Sequence, residues 1–290
     1  MALIAIITPL LGSIAAFFWF GIHGINSVDL SLCLGMYAIT TLGITAGFHR
    51  LFTHRSFATG KVMQILLGIA GSMAVQGPVL FWAASHRRHH QNSDRPDDPH
   101  SPNIDGQGIP ILFNGFWHAH IGWMLNHNSE NWVRYIPDLL RDKLIFRLNQ
   151  WYFYWIFLGL LIPAILGGLL TWTWQGILSG LLWGGFLRIF LVHHTTWSIN
   201  SICHLYGSRP YETKDESTNN FLCALLTFGE GWHNNHHAFP TSARHGLKWW
   251  QIDITYLVIY LLEKGGLVWN LKIPNSSMLE AKISKKVITS

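Results

Sequence analysis

The sequence predicts an all-α membrane protein: four transmembrane helices, an interfacial segment, and a cytosolic helical cap that carries metal-binding histidines. Three observations lead to this fold class. Hydrophobic residues make up 49% of the 290 residues and charged residues only 12%, about half the charged share of a soluble protein. Four apolar runs approach the roughly 20 residues that a spanning helix needs. The third observation is the presence of seventeen histidines, since histidine is the commonest metal ligand among side chains.

The four predicted spans occur as two pairs, each joined by a short connector. The spans are residues 4–21 and 30–48, and residues 152–170 and 176–193. The first run lacks a basic n-region and a small-residue cleavage site, so we interpret it as a retained helix rather than a signal peptide.

Positive charge predicts the orientation. None of the twenty Lys and Arg residues lies in the connectors 22–29 and 171–175, and only Arg188 falls inside a span. By the positive-inside rule, both connectors face away from the cytoplasm and both chain termini lie in it. A fifth apolar run, residues 62–82, must then re-enter or lie along the interface. A full span there would put the histidines on its two sides in opposite compartments.

The remaining chain is expected to form the cap and its attachments. Residues 1–272 are predicted to be a single integral-membrane domain, with residues 85–150 and 194–248 in the cytosol. Residues 249–263 predict an amphipathic interfacial helix, and residues 273–290 a polar tail. The net charge of +5 accompanies long apolar runs rather than a basic folded surface, so no nucleic-acid partner is indicated.

Three histidine clusters lie beside the apolar runs, and a fourth contribution follows the last one. They are His49 and His54; His86, His89 and His90; His233, His236 and His237; and His204, on one stripe with Asn200 and Thr196. On a helix, positions i, i+3 and i+4 lie within an arc of roughly 100°, so the second and third clusters can each aim three imidazoles at one point. His49 and His54 are about 140° apart on a straight α-helix, which suits two different ions or a helix end. His245, outside the clusters, is expected to be a surface or packing residue.

Nine imidazoles are enough for two ions of five or six coordination, whereas one tetrahedral zinc uses three or four ligands. The clusters themselves lack carboxylates, which argues against calcium or magnesium, while imidazole suits iron, zinc, copper and nickel. The cysteines Cys33, Cys203 and Cys223 have no metal-binding or disulfide spacing. Iron is the leading candidate, because a di-iron centre can store the two electrons that oxygen activation needs.

Taken in order, four motifs resemble those of the membrane fatty acid desaturases of the stearoyl-CoA and Δ9 acyl-lipid type. They are HRLFTH (49–54), HRRHH (86–90), NSICH (200–204) and GEGWHNNHH (229–237). The similarity extends from about residue 30 to residue 250. It implies four spanning helices under a cytosolic helical domain with a di-iron site. It also implies O2-dependent introduction of a cis double bond, at carbon 9, into a saturated acyl chain.

The resemblance implies a role for each matching position. The implied iron ligands are His49, His54, His86, His89, His90, His204, His233, His236 and His237. Asn200 matches a position that holds a metal-bound water. Acidic positions that orient imidazole N–H groups are matched by Asp94, Asp98 and Glu230. Positions lining the acyl tunnel are matched by Gln76, Trp82, Thr196 and Trp197.

Two departures bear on the substrate. Animal acyl-CoA enzymes have an Asn-Asp pair where this chain has Gly77 and Pro78, and they carry a long polar N-terminal extension that this sequence lacks. These differences favour a bacterial or cyanobacterial type in a bacterial inner membrane. They leave acyl-CoA and glycerolipid open as carriers of the acyl chain.

The sequence contains no haem-attachment, flavin-binding or thiolate-cluster motif. Electrons are therefore expected from a separate carrier, such as ferredoxin or a cytochrome b5-type protein. Two other functions stay open at this point. One is a membrane di-iron hydroxylase or ketolase, which inserts oxygen. The other is a non-enzymatic metal-binding membrane protein.

Overall fold

The computed structural model describes residues 2–103, 109–125 and 131–284. Within these ranges, four helices are long and apolar enough to cross a membrane: Ala2–His23, Ser27–Thr53, Tyr152–Thr171 and Trp174–Ser201. A helix satisfies its own backbone hydrogen bonds, which a segment inside a bilayer requires. The prediction of a four-helix membrane fold is confirmed. The second and fourth helices continue past the predicted ends at residues 48 and 193 and carry polar residues beyond the apolar core.

The described elements follow in chain order. The α-helices are α1 Ala2–His23, α2 Ser27–Leu42, α3 Lys61–Ser72, α4 Val79–Asn92, α5 Ile109–His120, α6 Pro137–Leu140, α7 Lys143–Gln150, α8 Tyr152–Thr171, α9 Trp174–Gly180, α10 Arg188–Ser201, α11 Phe221–Leu226, α12 His233–Ala238, α13 Ile254–Lys264 and α14 Ser276–Glu280. Helix α2 continues as the π-helix Gly43–Thr53, and the π-helix Leu181–Leu187 joins α9 to α10. Single turns of 3-10 helix cover Gly122–Met124 and Trp132–Tyr135. Strands β1 Ala58–Thr59 and β2 Val268–Trp269 pair antiparallel, with Ala58 opposite Trp269.

The apolar run 62–82 forms two helices rather than one segment. Helix α3 ends at Ser72, α4 begins at Val79, and the turn between them places Gly77 at a φ of 96°. Glycine suits this turn because it adopts the left-handed region without a Cβ clash. The histidines on the two sides of the run meet, since the Nε2 atoms of His54 and His86 are 3.0 Å apart. The run therefore folds back on itself.

Arg188, the basic residue inside a predicted span, holds this turn. Its fully buried guanidinium donates hydrogen bonds to the carbonyl of Met73 at the end of α3 (2.7 Å) and to that of Gly159 within α8 (2.8 Å). The His193 ring lies 2.9 Å from the Ala74 carbonyl. The last carbonyls of a helix have no partner within it, and leaving them unpaired in an apolar setting is costly. These two side chains therefore stabilise the turn between α3 and α4.

The interfacial helix predicted over residues 249–263 begins later than expected. Helix α13 starts at Ile254, because the Asp253 carboxylate accepts a hydrogen bond from the Tyr256 amide and caps the helix at that point. The preceding Trp249 and Trp250 are exposed and lie outside the helix.

Close packing fixes the end of the second spanning helix. A Cβ on Gly43 would lie 2.2 Å from the backbone nitrogen of Gly71, so α3 approaches the π-helix more closely than any larger residue would allow. Nearby, Phe48 and Phe52 belong to the largest buried apolar cluster among the described residues, together with Ala83 of α4. Interiors of this density resist small shifts. The histidine-bearing ends of the π-helix and α4 are therefore held by a rigid core.

Candidate metal centre

Four segments bring the nine clustered histidines to one end of the helix bundle. They are the end of the π-helix Gly43–Thr53, helix α4, the turn after α10, and helix α12. In α4 and α12 the i, i+3, i+4 spacing places three imidazoles on one side of the helix, as the sequence predicts. The three rings do not meet at one point, however, because His89 separates from His86 and His90, and His236 separates from His233 and His237, to join the other group. The short helix α12 is anchored by Asn235, whose amide nitrogen donates to the His245 carbonyl at 2.8 Å.

One group contains five histidines: His49, His54, His86, His90 and His236. Their Nε2 atoms are linked by short separations, namely 3.0 Å for His54–His86, 3.0 Å for His86–His90, 2.8 Å for His90–His236 and 3.1 Å for His49–His236. Nitrogen ligands about 2.1 Å from a metal are about 3.0–3.4 Å apart in octahedral or tetrahedral geometry. The spacing of this group therefore suits a single ion.

The second group contains four histidines: His89, His204, His233 and His237. Here the Nε2 separations are 3.0 Å for His204–His233, 3.0 Å for His233–His237 and 3.3 Å for His89–His237. The two groups are adjacent, because the ring of His90 in the first stacks on that of His237 at a centroid distance of 4.4 Å. The arrangement offers two neighbouring metal positions.

The π-helix explains why His49 and His54 belong to the same group. On an α-helix they would point about 140° apart, which favours two different ions or a helix end. In the structure the Thr53 end of the helix is π-helical, and the His54 amide donates to the His49 carbonyl at 3.1 Å. Residues five apart then lie one turn apart on the same side. His54 lies at a helix end, as one of the two expectations for this pair has it. The other expectation, that His49 and His54 serve two different ions, is wrong, because both rings belong to the five-histidine group.

Four carboxylates accept hydrogen bonds from the outer nitrogens of these rings. The Nδ1–oxygen distances are 2.6 Å for His49–Glu230, 2.9 Å for His89–Asp98, 2.9 Å for His204–Asp94 and 2.8 Å for His237–Asp215. A carboxylate on the outer nitrogen fixes the tautomer and turns the Nε2 lone pair inward. Asp94, Asp98 and Glu230 were anticipated from the sequence, whereas Asp215 was missed.

The geometry holds these carboxylates in the ionised form. Burial by itself raises the pKa of Asp94, but the hydrogen bond from His204 and those from Ser101 and the Glu216 amide lower it far below the usual value. For Glu230, burial again raises the pKa, and the charges of His49 and its other basic neighbours outweigh it. The same balance lowers the pKa values of the other two aspartates. Each carboxylate can therefore accept an N–H from its histidine.

The inner nitrogens have the chemistry of metal ligands. Burial and neighbouring imidazoles lower the pKa values of His86 and His233 well below the usual value, so these rings are neutral, as ligation requires. In the four-histidine group, His89 and His237 both give Nδ1–H to a carboxylate, which leaves their Nε2 lone pairs facing each other. A proton shared between two Nε2 atoms removes the repulsion within one such pair, whereas a metal cation at the centre of the group removes the repulsion among all four rings. The donor set fits a metal ion.

Arg50, next to His49 in sequence, ties Glu230 to a distant part of the chain. Its fully buried guanidinium lies 3.0 Å from Glu230 Oε1 and 3.0 Å from Asp253 Oδ1. His245 is buried in the same network, with its Nδ1 atom 3.2 Å from Arg50 Nη2 and 3.4 Å from Glu230 Oε2. His245 is therefore buried rather than on the surface, and it contacts the carboxylate behind His49.

Trp82 and Gln76 lie beside the five-histidine group. The Trp82 indole stacks on the His86 ring at a centroid distance of 5.2 Å and donates to Gln76 Oε1 at 3.4 Å. The Gln76 amide in turn donates to the Val192 carbonyl of α10 at 3.4 Å. The two side chains thus connect the metal centre to the turn that precedes α4.

Thr196, Trp197 and Asn200 lie on α10, in the stretch that leads to His204. Trp197 is buried and packs on His193 with ring centroids 4.7 Å apart. Thr196 and Asn200 are half-buried and one turn apart, so they share a face of the helix.

The missed residues carry no signal that sequence periodicity can detect. Asp215 lies in the loop between α10 and α11, 22 positions before its partner His237. Asp253 is 203 positions from Arg50. Which residues form such pairs depends on the paths that the loops take across the cap. Arg50 was already visible inside the HRLFTH motif, where an arginine beside a ligand histidine was a usable hint.

Comparison with known proteins agrees with this architecture. The chain matches the family model for fatty acid desaturases over residues 26–268. It is 50% identical to a hex-5-enoyl-[acyl-carrier protein] acetylenase from Moorena producens over 278 residues, which are 95% of this chain and 87% of the relative. It is 42% identical to an sn-1 stearoyl-lipid 9-desaturase from Anabaena variabilis over 264 residues, 90% of each chain. An sn-1 stearoyl-lipid 9-desaturase from Synechocystis is 41% identical over 251 residues, 85% of this chain and 73% of that one.

A bundle of four membrane helices with two adjacent polyhistidine groups at one end defines a membrane-bound, metal-binding oxidoreductase. The chain belongs to the fatty acid desaturase family. The resemblance drawn from the histidine motifs is thereby confirmed, and with it a role in lipid metabolism.

Proposed function

We propose that this chain is an O2-dependent fatty acyl desaturase that introduces a cis double bond, at carbon 9, into a saturated acyl chain. The observation that carries the proposal is the convergence of nine Nε2 atoms into two adjacent groups, four of them backed by carboxylates. Two metal positions beside each other are the arrangement that a two-electron oxidation with O2 needs. Membership of the desaturase family supports the same chemistry.

The nine histidines His49, His54, His86, His89, His90, His204, His233, His236 and His237 would hold two iron ions. Asn200 would contribute through a bound water, and Asp94, Asp98 and Glu230 would orient the rings. When bound, the irons would supply the oxidising power to remove two hydrogens from adjacent CH2 groups. Overall, O2 takes two electrons from the acyl chain and two from an external carrier, and two waters are formed.

The protein's own contribution is positioning. An unactivated CH2 group has no acidic proton, so acid–base catalysis cannot open this bond. The chain must instead hold one CH2–CH2 pair beside the metal centre. Trp82 and Gln76 are suited to form one wall, because their contacts link the His86 ring to α10. Thr196 and Trp197 would form another part of the tunnel.

The proposed setting is a bacterial inner membrane, with both termini and the metal centre on the cytoplasmic side. The acyl chain would arrive on a glycerolipid or on CoA, and electrons would come from ferredoxin or a cytochrome b5-type protein. The distribution of Lys and Arg supports this orientation. The cyanobacterial stearoyl-lipid 9-desaturases, at 42% and 41% identity, favour the glycerolipid.

A second candidate is acetylenase activity, the conversion of a double bond into a triple bond on a chain carried by acyl-carrier protein. The 50% identity to the hex-5-enoyl-[acyl-carrier protein] acetylenase favours it. Removal of two further hydrogens from adjacent carbons uses the same metal centre. The two candidates therefore differ in the substrate that is held, not in the oxidation.

Expression in a desaturase-deficient bacterial host, with mass spectrometry of total lipids and of acyl-carrier protein thioesters, tests both. The proposal expects a new cis double bond at carbon 9 of glycerolipid acyl chains. A terminal triple bond on a short thioester would establish the second candidate instead. A hydroxylated or keto product would overturn both. The His204→Ala variant serves as the inactive control.

A further inference from the structure

The two histidine groups differ in how their outer nitrogens are held. In the four-histidine group, His89, His204 and His237 each bond to an aspartate at 2.8–2.9 Å. In the five-histidine group the carboxylate contact is that of His49 with Glu230. Each group also contains one ring whose buried Nδ1 atom has no hydrogen-bond partner, His236 in the five-histidine group and His233 in the four-histidine group, so the difference lies in the number of carboxylate contacts, three against one. Ring orientation is therefore fixed in advance more completely in the four-histidine group.

The charge behind the two groups differs as well. The negative charge of Glu230 is balanced by the Arg50 guanidinium, whose Nη2 atom lies 3.0 Å from Glu230 Oε1. The hydrogen bonds that the structure gives the side chain of Asp215 come from the His237 ring and from the hydroxyl and amide of Ser217. Asp94 likewise bonds to His204, to hydroxyl and amide groups, and to a backbone N–H. Negative charge is therefore concentrated behind the four-histidine group.

We propose that Asp215 is a positioning residue for His237 and that, with Asp94 and Asp98, it makes the four-histidine site the tighter of the two metal sites. The inference rests on the dinuclear centre proposed above. Three carboxylates raise the basicity of three ligand rings and hold those rings in place before the ion arrives. The five-histidine site has one more imidazole, but that ligand is neutral and takes a position that a water molecule would otherwise fill, so it adds less to the affinity than the three carboxylates do. The four-histidine site consequently fills first when metal is limiting.

Titration of the metal-free, full-length protein in detergent with ferrous iron under anaerobic conditions tests this inference. We expect two equivalents per chain in two affinity classes. Asp215→Asn should weaken the tight class about 10–100-fold and leave the weak class unchanged. Glu230→Gln should do the reverse. Glu216→Gln is the matched control, because its exposed carboxylate pairs with Arg209 and contacts no ligand histidine.

The outcomes separate this inference from the proposed function. Two equivalents of equal affinity, or an Asp215→Asn protein that loses only the weak class, would overturn the inference and leave the dinuclear centre standing. Fewer than two equivalents in the unmodified chain would overturn the dinuclear centre itself. If Asp215→Asn does not fold, Asp94→Asn gives an independent reading through His204 and should weaken the same class.

Discussion

The Nε2 atoms of His89 and His237 face each other at 3.3 Å, while the Nδ1 atom of each ring bonds to an aspartate. The two residues are 148 positions apart in the chain. Lone pairs that face each other in this way repel, and a cation between the rings, either a metal ion or a shared proton, removes the repulsion. The contact therefore joins the second histidine motif to the fourth at a candidate metal position.

The nine histidines should act as one unit. Replacement of His204 by Ala removes one of the four imidazoles of its group, and desaturation should be abolished while the protein stays in the membrane. Lipid analysis and membrane fractionation measure the two properties. His23→Ala, at the last residue of α1, is the control and should retain full activity. Normal activity of the His204→Ala protein would exclude His204 as a ligand.

The buried Arg50 should matter far more to stability than an exposed arginine of the same helix end. Arg50→Met leaves Glu230 and Asp253 buried without their cation, and such losses cost about 3–5 kcal/mol. Arg55→Met breaks an exposed ion pair with Asp138 and should cost about 0–1 kcal/mol. Thermal unfolding in detergent compares the two variants. Equal shifts would contradict the structural role given to Arg50.

The metal-free protein should lose stability as the pH falls below about 6.5. Burial and neighbouring charges hold the pKa values of His233 and His236 well below the usual value, so the folded state keeps these rings neutral. The unfolded chain takes up those protons first, and the free energy of unfolding therefore falls with falling pH. Thermal midpoints from pH 7.5 to 5.5 measure the effect. A flat profile would be inconsistent with neutral buried rings.

Arg188 should be required for the turn between α3 and α4. Arg188→Met leaves the carbonyls of Met73 and Gly159 without their donor, at about 1–3 kcal/mol for each unsatisfied group. Arg188→Lys should restore only part of the lost stability, because one ammonium group cannot reach both carbonyls as the guanidinium does. Thermal unfolding and protease sensitivity report the change. Arg147→Met, at an exposed position of helix α7, is the matched control and should behave as the unmodified protein.

The orientation of the chain in the membrane can be tested by labelling introduced cysteines. The native cysteines Cys33, Cys203 and Cys223 are all buried, so they give little background with an impermeant maleimide. A cysteine at exposed Ile25 should react in intact cells, and one at exposed Arg95 only after the cells are opened. The reverse pattern would place the metal centre outside the cytoplasm.

Sequence reasoning predicted the features that depend on local pattern. Apolar run length predicted the four spanning helices, and the i, i+3, i+4 spacing predicted the faces of α4 and α12. It did not predict which histidines share an ion, because the π-helix changes the angle between His49 and His54, and no propensity rule anticipates it. It missed Asp215 for a different reason. That carboxylate reaches His237 only through the path of a loop, which carries no periodic signal.

The metal content of the purified, full-length chain tests the central claim most directly. Elemental analysis of protein isolated from iron-supplied cells is predicted to give two irons per chain, and Mössbauer spectra should show two non-equivalent sites. One metal ion per chain, or zinc in place of iron, would contradict the dinuclear centre on which the proposed desaturation depends.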